Sequence, residues 1–173
     1  RGESTLEASI ARLALRSLAK AHFDTARMRN EYVKFMITPN SHNDTYCSSY
    51  HRIFFERYMN GVPVERCPSN DGHNVDAIDG LVLPTIVLLG YASEYESVAL
   101  EKAIFSVKIT RNSKQVEKYV GLFSSLLRRV LSGENLADAA QEEAMRIFGT
   151  TLDVSKPDPV VACYLDQSYP ALL

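Results

Sequence analysis

The sequence predicts an all-α fold, and three observations carry that prediction. Apolar residues recur at helical spacing in segment after segment, and capping side chains stand just ahead of those segments. No stretch shows the apolar–polar alternation of a half-buried strand. With 173 residues, 46% of them apolar and 23% charged, the chain is long enough to bury a core, and a single domain over 1–173 is expected.

Ser4, Thr5, Leu6 and Glu7 read as a capping box, opening a helix that runs to Ala21 through Ile10, Leu13, Ala14, Leu15 and Leu18. Residues 25–36, with Met28, Tyr32, Val33, Phe35 and Met36, predict a second helix that Thr38-Pro39-Asn40 ends. A third is expected from near Thr45, where Tyr46, Tyr50, Ile53, Phe54 and Tyr58 recur until Asn60-Gly61 supplies a stop. After a turn-rich connection over 62–70, a central segment begins at about Val75. As a helix it would carry Asp76 and Asp79 on one face, with Ile78, Leu81, Val82, Leu83 and residues 86–89 covering most of its circumference. Such a helix is buried, and Pro84 kinks it or marks its first turn.

Residues 92–107 predict a further helix with Val98, Ala99, Ala103 and Ile104 inward. Asn112 or Ser113 then caps the most clearly amphipathic segment, 114–131, which Ser132-Gly133 stops. Residues 135–148 give one more helix, 150–159 a loop, and 160–173 an apolar segment.

The formal charge of -2 and a pI near 6.1 give no global electrostatic case for nucleic acid or an anionic membrane, and the basic residues are scattered along the chain. The longest apolar run, 81–89, is interrupted by Pro84 and Thr85 and falls short of the roughly 20 residues a membrane helix needs. Three widely spaced cysteines, Cys47, Cys67 and Cys163, fit neither a disulfide framework nor a zinc ribbon. A reducing, cytoplasmic setting is the expectation. The start at Arg1-Gly2-Glu3, without methionine or a signal sequence, suggests a processed, tagged or incomplete chain.

Three polar connections precede helices: Gly2 to Thr5, Ser41 to Thr45, and Ser69 to Asn74. If their helix N-termini converge, their free amides form a cradle for phosphate or sugar oxygens. Each also has a plainer reading. Ser41 to Thr45 makes a helix cap with an Asx turn, Glu3 serves as a first-turn acid, and Asp76 and Asp79 form a buried pair satisfied by His73, Asn74 or backbone amides. Carboxylates on a buried helix need such partners or a cation. His42, His51, His73, Cys47 and Cys67 raise zinc, but no tight Cys/His pairing of known spacing supports it. The tyrosines of the third helix read as core or interface aromatics.

The segments Ser41-His42-Asn43-Asp44-Thr45-Tyr46, Tyr50-His51-Arg52 and Asn70-Asp71-Gly72-His73-Asn74-Val75-Asp76 stand in an order and spacing that resembles the ADP-ribosylglycohydrolase family. The branch with the jellyfish lens J-crystallins is the most similar. Thr110-Arg111-Asn112-Ser113 and Cys163-Tyr164-Leu165-Asp166-Gln167-Ser168-Tyr169-Pro170 fit the same branch, so the resemblance covers essentially the whole chain.

The resemblance implies an all-α helical bundle, incomplete at both ends here, with two magnesium ions and hydrolysis of an ADP-ribosyl glycosidic bond. It implies Glu3, Asp76 and Asp79 as catalytic carboxylates, and Glu3 and Ser4 at the metal position, where Ser4 replaces a carboxylate of the family's Thr-Asp-Asp-Thr type motif. Ser41, His42, Asn43, Asp44, Gly72, His73, Asn74, Thr110 and Arg111 become substrate-binding candidates, Arg111 standing where the family has histidine. The implied partner is ADP-ribose or an ADP-ribosylated small molecule or protein, with neither nucleic acid nor membrane. Divalent cations held by carboxylates would orient the ribose hydroxyls and activate water for an oxocarbenium-like transition state. Two alternatives stay open: a degenerate module that binds ADP-ribose or a nucleotide without hydrolysis, and a crystallin-like structural protein.

Overall fold

The computed structural model describes residues 4–43, 46–70 and 75–151, and among them the chain forms seven α-helices and no strand. It divides into two compact units, Arg1–Arg128 and Arg129–Leu173. Among the described residues no helix is long and apolar enough to cross a membrane.

In the first unit, α1 (Leu6–Lys20) starts at Thr5, whose hydroxyl accepts from the Ala8 amide at 3.2 Å. With Thr5 as the cap, the third helical position is Ala8, so Glu7 is not the back-bonding acid of a capping box. It is free to point inward. Asp24 caps α2 (Thr25–Ile37) by accepting from the Arg27 amide at 2.6 Å. The third helix, α3 (Ser49–Met59), begins after an extended Ser48, later than the expected start near Thr45. It ends at Asn60, and Gly61 adopts the left-handed φ of 79° that favours glycine there.

The central segment departs most from expectation. Residues 75–77 form a turn, Ile78–Leu81 a short 3-10 helix, and only Val82–Gly90 an α-helix, α4, with Pro84 in its first turn. The extended backbone of Ala77 (ψ 160°) breaks the predicted helix. The Val75 carbonyl, which a helix would give to the Asp79 amide, accepts instead from Arg111 at 3.0 Å. Asp76 and Asp79 therefore do not share a helical face, and Ile78 is 85% exposed rather than buried.

After turns through residues 91–94, α5 (Glu96–Val107) starts later than expected, and α6 (Lys114–Leu131) follows with the predicted bounds. Helix α4 packs against α1 and α5, and α1 against α2. Leu6, Ile10 and Ala14 of α1 meet Met28, Tyr32 and Val33 of α2, Phe54 of α3 and Leu83 of α4 in one apolar cluster. Val87, Leu88 and Tyr91 join Ala99, Ala103 and Val107 of α5 and Val116 and Val120 of α6 in a second. The Tyr91 hydroxyl ties the turn before α2 to this cluster, accepting from the Phe23 amide at 2.7 Å. In the second unit, Asn135 caps α7 (Leu136–Phe148), and Arg129 pairs with Glu134 at 2.6 Å and Glu142 at 2.5 Å.

Gly80 marks a close approach. A β-carbon there would lie 2.9 Å from both γ-carbons of the buried Val116 and 3.2 Å from Arg111 Nη1. Gly80→Ala should therefore destabilise the protein by roughly 1–3 kcal/mol, read as a lower urea midpoint with unchanged slope. An unchanged midpoint would mean that the packing at Gly80 is loose.

Candidate functional site

A polar framework sits between the N-terminal part of α1, the start of α3 and the segment that joins α5 to α6. Arg111, in that joining segment, is 2% exposed. Its Nη1 donates to the Val75 carbonyl at 3.0 Å and to Asp79 Oδ1 at 2.9 Å. The guanidinium lies 3.7 Å from the centre of the Tyr50 ring, a stacking geometry in which the ring face meets the positive charge. A buried guanidinium needs such partners, because an unpaired charge out of water is strongly unfavourable.

The chain of contacts continues from Tyr50. Its hydroxyl donates a short hydrogen bond to Glu7, whose Oε1 also lies 3.1 Å from His51 Nε2. His51 Nδ1 is 2.6 Å from the Tyr32 hydroxyl. The ionised Glu7 only accepts, so in the neutral ring Nε2 carries the proton and Nδ1 accepts from Tyr32. Burial pushes the Glu7 carboxyl up, but hydrogen bonds from His51 and Tyr50, with the nearby charges of His51 and Arg111, outweigh it and leave the pKa below its ordinary value. Burial raises the Tyr50 and Tyr32 hydroxyls, which keeps them protonated donors. Glu7, Tyr50, His51, Asp79, Thr110 and Arg111 border a cavity of about 10 Å³, room for one water at most.

Ser113 links the other side. Its hydroxyl donates to Asp76 Oδ1 at 2.5 Å and accepts from the Val116 amide at 2.9 Å, so it caps α6 as expected while holding the loop before α4. Asn70 Nδ2 reaches the same Asp76 oxygen at 3.3 Å, and the Asn112 amide donates to the Ser69 carbonyl at 3.1 Å.

Of the residues selected from the sequence, the structure thus brings together Asp76, Asp79, Thr110 and Arg111. Ser4 lies apart from them, its hydroxyl 2.5 Å from Arg12 Nη1. Among the described residues no hydrogen bond joins Ser41, His42 or Asn43 to the framework; the His42 ring lies instead 5.8 Å from that of Phe35. Glu3, Asp44, Gly72, His73 and Asn74 fall outside the described residues. The described residues do not form the donor set that the implied magnesium pair needs. Asp76 is engaged by Ser113 and Asn70, Asp79 by Arg111, and Ser4 by Arg12. Nor do they form a zinc site: no group of three or more His, Cys, Asp or Glu is placed to hold a metal among them.

The sequence did not place Glu7, Tyr50, His51 or Tyr32 in one network, although His51 had raised zinc and Tyr50-His51 carried part of the resemblance. One signal was available: if Thr5 rather than Ser4 caps α1, Glu7 falls on the face of Leu6 and Ile10, where a carboxylate demands partners. Set against models of known families, curated proteins and solved structures, the chain matches none of them.

Because the folded-state pKa of Glu7 is depressed, its stabilisation is fully present above the unfolded value near 4.5 and is lost as pH falls through the folded one. The stability gap between the wild type and Glu7→Gln should therefore be widest above about pH 5 and close on acidification. A gap independent of pH would show that the carboxylate charge plays no part.

Proposed function

We propose that this chain is an ADP-ribosylglycohydrolase-like protein that binds ADP-ribose, or an ADP-ribosylated group, at the Arg111 framework. One observation carries the proposal. Two of the segments that bear the resemblance, 70–76 and 110–113, are far apart in sequence yet meet through Arg111 with Val75 and Ser113 with Asp76, and the contacts of Arg111 with Asp79 and of Asn112 with Ser69 flank them. A framework whose polar groups are already fixed presents hydroxyl, amide and carboxylate groups to a ligand with little ordering cost. Asp76 is exposed and Asp79 partly so, which leaves both carboxylates able to accept from ribose hydroxyls.

Hydrolysis of the glycosidic bond is a second reading. It is favoured by Glu7, a carboxylate held ionised within the cavity that Asp79 also borders. Paired carboxylates are what glycoside hydrolysis uses, one stabilising or attacking the sugar carbon and one handling the proton. Magnesium belongs to this reading only through the resemblance.

Thermal unfolding with and without ADP-ribose, each in magnesium and in chelator, tests the proposal. Ligand at about 100 times its dissociation constant should stabilise the protein by roughly 2.7 kcal/mol, and Asp79→Asn should reduce that shift. A shift confined to magnesium, with release of free ADP-ribose from a modified substrate, would favour hydrolysis. A cooperative transition that no arm shifts would overturn the proposal and leave the crystallin-like structural role.

A further inference from the structure

Arg111 also borders an open groove of about 600 Å³, a volume typical of small-molecule sites. Arg29 of α2, Arg57 of α3 and Arg66 border it together with Lys108, Arg111 and Lys114, while Glu65 is the one carboxylate among its lining residues. These cations come from four separate stretches of a chain whose formal charge is -2, so the local surplus is made by folding.

The balance of partners is uneven. Lys108 and Lys114 share a single carboxylate, Glu117, at 3.8 and 2.9 Å, and Arg111 is taken by Asp79. Among the described residues Arg29, Arg57 and Arg66 form no ion pair. Arg29 is the telling one. It is 9% exposed, its Nη2 donates to the Lys108 carbonyl at 2.8 Å, and its buried Nε has no acceptor among the described residues. The buried Nε of Arg57 lacks an acceptor there in the same way, while its Nη2 donates to the Arg66 carbonyl at 3.0 Å. Guanidinium donors left unmet beside an open groove are unfavourable unless an acceptor arrives.

We propose that this groove is a binding site for the phosphate or diphosphate group of a small molecule, held by Arg29, Arg57, Arg66 and Lys108. Planar guanidinium forks match the oxygens of a phosphate, and several together suit an anion with more than one charge. A carboxylate ligand would leave most of these cations unmet, and the groove is of small-molecule size. The groove adjoins the proposed ADP-ribose site, sharing Ser69, Arg111 and Asn112 with it, but its four anion-holding donors lie outside that framework.

The test is calorimetric titration of the intact chain with inorganic phosphate and inorganic pyrophosphate, alongside Arg66→Gln, Lys108→Gln and, as a control, Arg16→Gln, an exposed α1 residue that does not line the groove. Arg66 is exposed and Lys108 half-exposed, so circular dichroism should show both groove variants folded. We expect binding of one pyrophosphate per chain, tighter than phosphate, weakened about tenfold by each groove variant and unchanged by Arg16→Gln. Binding of phosphate as tight as pyrophosphate would narrow the ligand to a monophosphate and still support the site. No binding by the wild type, equal binding by the groove variants, or binding only of a single-stranded oligonucleotide or of anionic vesicles would overturn it. Loss of ADP-ribose binding in Asp79→Asn with pyrophosphate binding intact would separate this site from the framework.

Discussion

The first unit depends on the burial of one guanidinium. Arg111 is removed from water almost completely, and every contact that makes its burial tolerable joins it to a different part of the chain: the Val75 carbonyl, the Asp79 carboxylate and the Tyr50 ring face. Those contacts explain local features that propensity does not. The Val75 carbonyl leaves the helical ladder, and residue 80 must be glycine for Val116 and Arg111 to approach. The entry to α4 becomes a turn and a 3-10 segment rather than a continuous helix.

Burial of Arg111 also organises charge beyond itself. Tyr50, stacked on the guanidinium, donates to Glu7, and Glu7 with Tyr32 fixes both nitrogens of the fully buried His51. Positive and negative groups thus alternate through the interior from Asp79 to Arg111 and on to Glu7, each lowering the cost of the next. Arg111 also borders a groove where positive charge is in excess. One residue therefore belongs both to a neutralised interior network and to an electropositive surface.

Much of the fold was legible because it rests on periodicity. Helix α6 has the bounds its apolar stripe predicts, Ser113 caps it, and α1, α2 and α7 lie within a residue or two of the segments their apolar spacing predicts. The site was only half legible. Asp76 and Asp79 stood out as carboxylates on an apolar segment and Thr110 and Arg111 only through the resemblance, whereas Tyr50 read as a core or interface aromatic and His51 as a weak zinc candidate. Nothing local distinguishes a core histidine from one held between Glu7 and Tyr32, because the partners lie 44 and 19 residues away. The same holds for the groove, whose arginines are scattered in sequence and gathered only by folding.

The most direct test of the part given to Arg111 is a double-mutant cycle with Asp79, using Arg111→Met and Asp79→Asn and stability read from urea unfolding. A clamp that depends on this pair predicts a coupling of about 1–3 kcal/mol, with Asp79→Asn costing far less once Arg111 is gone. Effects that add within about 0.5 kcal/mol would contradict it, and would mean that the loop before α4 is held by Ser113 and Asn112 alone.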